Sequence, residues 1–290
     1  MKHFETKWKS QDGLDVFAQG WSPDTSQPGA VVCLVHGIGE HTSRYLKVAE
    51  AFTKEAYVLF GADLRGHGRT EGPRGHIPSM KLVLQDIDLL IENARKLYPN
   101  LPVILYGHSL GGTLVLNYGL TQKPNIKGII ATSPSLKTAV EEQVVKVVAA
   151  KILGALLPRV TISTGLDASA ISNDKKVVEI YQDDPLVHDK MSMGFGKIIL
   201  GVMQRTLEHA DRFSLPLLLM HGKADSITYP SGSIEFASKL HEKCKLVLWE
   251  GASHELHNEP EKAEVFKTMI DWINELVNKH HNPTNHFAPL

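Results

Sequence analysis

Six stretches of nearly unbroken apolar residues punctuate the chain: AVVCLVHG (30–37), AYVLFGAD (56–63), PVILYGHS (102–109), IKGIIATSP (126–134), LPLLLMHG (215–222) and CKLVLWEG (244–251). Runs of this kind mark strands buried on both faces of a parallel sheet. Between and after them the apolar positions recur with a period near 3.6. This predicts helices over 44–55, 80–98, 110–121, 231–241 and 261–279. In the second, Leu82, Leu84, Ile87, Leu90, Ile91 and Ala94 form the predicted apolar face. Strands alternating with helices imply a doubly wound sheet with helices on both faces. Ahead of the alternation, HFETKWKS and LDVFAQGW read as two strands joined by Gln11-Asp12-Gly13, a hairpin turn. They add an antiparallel edge and bring the expected strand count to eight.

One region breaks the pattern. From 135 to 213 no run reads as a buried strand, and segments such as VEEQVVKVVAAKILGALL and DKKVVEIYQ read as helical. The expected organisation is therefore an α/β core over 1–134 and 214–290, interrupted by a helical cap insertion over 135–213. The last stretch, HHNPTNHFAPL, has few core-forming residues and two prolines, and reads as a flexible tail from about 280. Its three histidines lack a metal-ligand spacing.

Composition narrows the functional classes. With 290 residues, 42% of them hydrophobic, the chain can build one large domain with a continuous core. Lys+Arg 31 against Asp+Glu 32 gives a net charge of -1, which argues against nucleic acid and against anionic membrane as an electrostatic partner. Cys33 and Cys244 are the only cysteines, too few for a disulfide framework or a zinc site. Cys33 lies in an apolar run and reads as a small buried hydrophobe. The start, MKHFETKWKSQDG, has no apolar signal-peptide core, and no run approaches the roughly 20 apolar residues of a membrane-spanning helix. These features predict a soluble, cytoplasmic protein.

Open α/β sheets place chemistry at the carboxyl ends of their strands, and three candidate residues lie there. After LPVILY comes Gly107-His108-Ser109-Leu110-Gly111-Gly112. With 23 glycines in the chain a Gly-x-Ser-x-Gly arises easily by chance; a strand before it and a helix after it give it weight as a nucleophile elbow. Gly107 and Gly111 are the positions where a side chain would collide with neighbouring backbone. A serine hydroxyl needs a base to take its proton, and the base needs a carboxylate to fix its tautomer. Asp225 follows LPLLLMHG and His254 follows CKLVLWEG, in the order Ser, Asp, His that this architecture uses. The oxyanion needs backbone donors: the N–H of Leu110, and that of Ile38 in the loop His36-Gly37-Ile38-Gly39. His221 is assigned a packing role and His108 a supporting hydrogen bond.

Five stretches carry a family resemblance: HGIGEHTSRY (36–45), DLRGHGRTEGPRG (63–75), GHSLGG (107–112), HGKADSIT (221–228) and GASHELHNEP (251–260). The chain resembles the monoacylglycerol lipases and lysophospholipase-like α/β hydrolases from Ala30 to about Lys279. The departures, Thr70 after Gly-His-Gly-x and Thr42-Ser43 in place of Ser-Gly, do not touch Ser109, Asp225 or His254. The resemblance implies an α/β-hydrolase fold, the same Ser109–Asp225–His254 triad, and Ile38 and Leu110 as oxyanion donors. It also implies that Glu40, Arg44 and His257 hold the glycerol end of a substrate. Read without it, Glu40 and Arg44 are an i,i+4 surface pair on a helix, and His257 is a solvated residue.

The expected activity is that of a serine carboxylester hydrolase acting on fatty-acid esters, with monoacylglycerol first. It would need no cofactor and no metal. Lysophospholipase, general carboxylesterase and acyltransferase chemistry on the same triad stay open, as does a non-catalytic lipid-binding protein on this scaffold. Val144, Val145, Val147, Val148, Ile152, Leu153, Leu156 and Leu157 make the cap more apolar than one buried stripe requires. They read equally as packing over the sheet or as an acyl-tunnel wall whose outer face touches membrane or micelle. The sequence leaves the oligomeric state open.

Overall fold

A computed structural model describes residues 1–24, 27–138, 153–240 and 243–278. In chain order its strands are β1 (Lys2–Lys9), β2 (Asp15–Ser22), β3 (Ala30–Val35), β4 (Tyr57–Ala62), β5 (Val103–His108), β6 (Gly128–Thr132), β7 (Thr161–Ser163), β8 (Lys190–Ser192), β9 (Leu217–Gly222) and β10 (Cys244–Trp249). The helices among the described residues are α1 (Leu46–Lys54), α2 (Met80–Leu97), α3 (Leu110–Gln122), α4 (Lys175–Asp183), α5 (Met193–Glu208), α6 (Pro230–Ser238) and α7 (Lys262–Asn278).

Eight strands form one sheet in the order β1-β2-β4-β3-β5-β6-β9-β10. Strands β4 through β10 in that order run parallel to their neighbours. Strands β1 and β2 pair antiparallel, and β2 joins β4 antiparallel. The hairpin turns at Gly13, whose φ of 83° a residue with a side chain rarely adopts.

The period-two alternation of strand side chains sends apolar residues to both faces. In β3, Val31, Cys33 and Val35 enter one core cluster, together with Ile87 and Leu90 of α2, Leu114 of α3 and Val202 of α5. Ala30, Val32 and Leu34 enter the other, with Phe52 of α1 and Met269 and Trp272 of α7. Cys33 is fully buried, and that burial pushes its thiol up to about 12, which leaves it unreactive at neutral pH.

Three details depart from the sequence pattern. The buried face of α2 runs through Val83, Ile87, Leu90, Ile91 and Ala94, with Val83 buried and the expected Leu82 and Leu84 only partly so. β10, whose apolar run reads as buried on both faces, is a half-buried edge strand because no further strand covers it. The predicted helix at 44–55 begins as a 3-10 turn, Thr42–Tyr45, and becomes α-helical only at Leu46.

The chain between β6 and β9 contributes α4, α5 and a two-stranded antiparallel sheet of β7 and β8, none of it part of the eight-stranded sheet. These strands are only three residues each and mostly exposed, so no apolar run announces them. Val144, Val145, Val147, Val148, Ile152 and the tail from 280 lie outside the described residues. Several backbone bonds fasten this segment to the sheet's carboxyl edge: His188 N–H to Gly39 O (2.9 Å), Ser192 N–H to Gly75 O (2.9 Å) and Glu255 N–H to Ile171 O (2.7 Å). No helix among the described residues is long and apolar enough to cross a membrane.

The junction of β5 with α3 leaves no room for a side chain at Gly111. A Cβ added at Gly111 would lie 2.0 Å from the carbonyl oxygen of Val35 and 2.5 Å from that of His36. Both obstacles are backbone and cannot rotate away. Gly111→Ala is therefore expected to cost at least about 3 kcal/mol in urea unfolding. Gly13→Ala meets nothing within 4 Å and should cost only about 1 kcal/mol, from its positive φ. Equal losses at the two positions would show that steric exclusion at the elbow is not what requires Gly111.

Candidate active site

Ser109 occupies the one residue between β5 and α3, with φ 54° and ψ −119°. That conformation is unfavourable for a residue with a Cβ, by about 1–3 kcal/mol, and survives only where surrounding bonds over-determine it. Here they do. The Ser109 N–H donates to Thr132 O (2.9 Å), and the Ser109 carbonyl accepts from the N–H groups of Thr113 (3.1 Å) and Ser135 (3.2 Å). The turn lifts the hydroxyl to the sheet's carboxyl edge, at the N-terminus of α3, where developing negative charge is favoured.

The three residues expected as a triad meet there. Ser109 Oγ lies 2.9 Å from His254 Nε2, and His254 Nδ1 lies 2.8 Å from Asp225 Oδ2. Since Nδ1 faces a carboxylate, it carries the ring proton and Nε2 is left as the acceptor for the serine hydroxyl. Asp225 Oδ1 accepts the N–H groups of Ile227 (2.9 Å) and Thr228 (3.0 Å). Its Oδ2 also accepts from the Thr228 hydroxyl (2.8 Å) and His221 Nε2 (3.1 Å). Burial opposes the charge on Asp225, but His254 and His221 beside it hold the carboxyl far below the usual carboxylate range. Burial likewise opposes an imidazolium at His254, yet Asp225 outweighs it and the pKa lies above the ordinary histidine value.

Two further imidazoles flank His254. His108 stands 4.8 Å from it between ring centroids and 4.9 Å from His257. Burial keeps both neutral: His108 falls well below the ordinary value and His257 to about 4. His108 Nδ1 is bonded to Thr132 Oγ1 (3.1 Å), the supporting contact expected of it. Neither ring nitrogen of His257 has a partner among the described residues, and the ring stacks on Tyr45 with centroids 4.6 Å apart.

The loop after β3 is held by charge. Glu40 Oε1 accepts the Gly37 N–H (2.6 Å) and the Tyr45 hydroxyl (2.8 Å), while Oε2 accepts from Arg44 Nη1 (2.9 Å). Arg44 also makes a bidentate pair with Glu255, at 2.6 and 2.7 Å. Arg44 and Glu40 have side-chain exposures of 7% and 3%. The surface-pair reading of Glu40 and Arg44 is thus incorrect: Glu40 turns inward onto the Gly37 N–H and the Tyr45 hydroxyl, and Arg44, on the 3-10 turn, reaches inward to Glu40 and Glu255. His257, 1% exposed, is not a solvated residue either. Burial and the neighbouring Glu255 raise the Glu40 carboxyl against the pull of Arg44, whereas for Glu255 the Arg44 pair overcomes burial and lowers it to about 2.

Ile38 lines a small cavity at Ser109 together with Glu40, Leu166, Ile171 and Tyr181. Neither the Ile38 N–H nor the Leu110 N–H is donated to an acceptor among the described residues. Arg44 and His257 do not line this cavity; they stand behind Glu40 and Tyr45.

Sequence reasoning missed Thr228, Glu255 and Tyr181, and it understated His221. Only Thr228 carried a signal. An aspartate whose side chain accepts backbone N–H groups two and three residues on is a recurrent turn, and Asp225-Ser226-Ile227-Thr228 is one. The Arg44–Glu255 pair spans 211 positions and has no local signature.

Residues 26–261 match the family model described as "Serine aminopeptidase, S33". The monoacylglycerol lipase of Mycolicibacterium smegmatis is 34% identical over 263 residues, covering 90% of this chain and 93% of that protein. An uncharacterized abhydrolase domain-containing protein of Dictyostelium discoideum is 39% identical over 260 residues; the chain spans only 27% of its length. The crystal structure of a monoacylglycerol lipase from Paleococcus ferrophilus superposes with a TM-score of 0.80 at 32% identity, covering 96% of this chain and 99% of that one. The chain belongs to the serine hydrolase family that these proteins share, and is a monoacylglycerol lipase-like enzyme of the α/β-hydrolase fold.

Proposed function

We propose that the enzyme hydrolyses monoacylglycerols, with Ser109 as nucleophile, His254 as general base and acid, and Asp225 as the carboxylate that orients it. The unbroken chain of contacts from Ser109 Oγ to His254 (2.9 Å) to Asp225 (2.8 Å) carries this reading. Ser109 Oγ attacks the ester carbonyl carbon while His254 Nε2 takes its proton. The N–H groups of Ile38 and Leu110 donate to the resulting oxyanion; one such donor is worth about 3 kcal/mol in the transition state. His254 then protonates the departing glycerol oxygen as the carbon–oxygen bond breaks. Water, deprotonated by His254, attacks the acyl-enzyme carbonyl, and the fatty acid leaves as the proton returns to Ser109.

The glycerol end of the substrate is assigned to Glu40, Arg44 and His257. Glu40 lines the cavity, Arg44 holds it from behind (2.9 Å), and His257, behind Tyr45, has two ring nitrogens without a partner among the described residues. The described residues of the 135–213 insertion serve as a cap over this site, with Leu166, Ile171 and Tyr181 lining the cavity. Along 156–162 four large apolar side chains are exposed: Leu156 (71%), Leu157 (48%), Val160 (46%) and Ile162 (49%). We assign them to contact with a membrane or micelle from which the ester is drawn.

Two measurements test the triad. Ser109→Ala should reduce turnover of a p-nitrophenyl ester at least about 1000-fold. The wild-type kcat/KM should fall on the acid side through an apparent pKa above about 6.5, because His254 must be neutral and its pKa is raised. An active Ser109→Ala, or an acid limb at ordinary carboxylate pH, rules out the triad.

His257→Phe keeps the stack on Tyr45 but removes both nitrogens. It should raise KM for monoacylglycerols about three- to tenfold and leave p-nitrophenyl esters unchanged; equal effects on both would remove His257 from the head-group site. For the cap, Leu156→Asp should weaken co-sedimentation with phosphatidylcholine vesicles while hydrolysis of a soluble ester continues. Undiminished vesicle binding would contradict the membrane assignment.

A further inference from the structure

The oxygen of Asp225 that faces His254 is shared. Three donors converge on Oδ2: His254 Nδ1–H at 2.8 Å, the Thr228 hydroxyl at 2.8 Å and His221 Nε2–H at 3.1 Å. Thr228 is the hub of the group. Its hydroxyl also lies 3.1 Å from Ser133 O and 3.2 Å from His254 Nδ1. Its N–H donates to Asp225 Oδ1 (3.0 Å), and its carbonyl accepts from His221 Nε2 (2.9 Å). Ser133, with φ 44°, donates its own hydroxyl to the carbonyl of His254 (2.7 Å). The loops after β6, β9 and β10 thereby meet at a single threonine side chain, which is 1% exposed.

We propose that Thr228 is a positioning residue of the triad, holding Asp225 Oδ2 against His254 and dividing that oxygen's charge among three donors. The inference rests on the catalytic roles proposed above for Asp225 and His254.

The hydroxyl has one proton and two oxygens within reach. Asp225 Oδ2 is both the nearer, 2.8 against 3.1 Å, and the charged one, so the proton goes there. A carboxylate oxygen that already receives a hydroxyl attracts an imidazolium less strongly. Losing the hydroxyl therefore concentrates charge on His254 and makes protonated His254 easier to form. The opposite effect, loss of the lone pair 3.2 Å from His254 Nδ1, acts over a longer and poorer contact and is the smaller of the two.

Other groups facing His254 are unaltered by the change. Glu255 and Glu40 add negative potential, with Arg44 bonded to both. His108 and His257 are held neutral by burial. His221 stays bonded to Ser233 Oγ (2.7 Å) and Asp225.

The test is the pH dependence of kcat and kcat/KM on a soluble p-nitrophenyl ester for wild type, Thr228→Val and Thr228→Ser, with folding checked by thermal melting. Valine preserves the shape and deletes the hydroxyl, so its acid limb should move up by about half a unit to one unit, with kcat reduced about three- to tenfold. Serine keeps the hydroxyl and should retain the wild-type limb. If the valine variant does not fold, Thr228→Ala carries the same expectation, because it lacks the same proton. A limb that stays in place or moves down in the folded variant, or a serine variant that behaves like valine, overturns the proposal. Failure of the underlying triad is seen separately, as an active Ser109→Ala or a wild-type profile without the expected acid limb.

Discussion

At Ser109 the backbone must leave β5 and enter α3 within one residue, at φ 54°. No other element of the site can be placed until that turn is made. It demands that Gly107 and Gly111 carry no side chain: a Cβ on Gly107 would stand 2.3 Å from Gly111 O, and one on Gly111 would stand 2.0 Å from Val35 O. The turn thereby presses α3 against the end of β3 and sets Ser109, the proposed nucleophile, beside the Gly37–Ile38 loop. A Cβ on Gly37 would itself come within 3.2 Å of Ser109 Cβ. The local strain, about 1–3 kcal/mol, is offset by bonds from the Ser109 backbone to Thr132, Thr113 and Ser135 and by the apolar sheet beneath.

Around this turn the enzyme arranges buried charge so that one histidine differs from its neighbours. His36, His108 and His257 are all forced toward neutrality by burial. His254 is equally buried but faces Asp225, and of these four it alone becomes more basic than an ordinary histidine. The contrast comes from a partner, not from solvent access. A second buried charge group, Glu40–Arg44–Glu255, links the loop after β3 to the loop after β10 through the bidentate contact at 2.6 and 2.7 Å. Removing one member would leave an uncompensated buried charge, which is costlier than the pair is stabilising. These residues therefore shape the site even where they do not touch a substrate.

Much of this was legible in the chain. The apolar runs marked the six parallel strands, five of which are buried on both faces, and the Gly-x-Ser-x-Gly, Asp225 and His254 each fell just past one of them. The readings that failed concern features without a local pattern. Glu40 and Arg44 look like a helix-surface pair by spacing, and only the 3-10 turn Thr42–Tyr45 together with distant Glu255 reveals that they point inward. β10 has the composition of a central strand but lies at an edge, and run length alone does not distinguish the two. His221 read as a packing residue because nothing in HGKAD tells that its Nε2 reaches the same oxygen as His254. β7 and β8 are too short and too exposed to leave a period.

The central claim is that Ser109 is made nucleophilic by an unprotonated His254. Covalent labelling with a fluorophosphonate, followed by intact-mass analysis and peptide mapping across a pH series, tests it most directly. The account predicts one adduct per chain, on the peptide containing Ser109, formed at a rate that declines as His254 takes up a proton. An adduct on another residue, or labelling of Ser109 at a rate indifferent to pH, would contradict it.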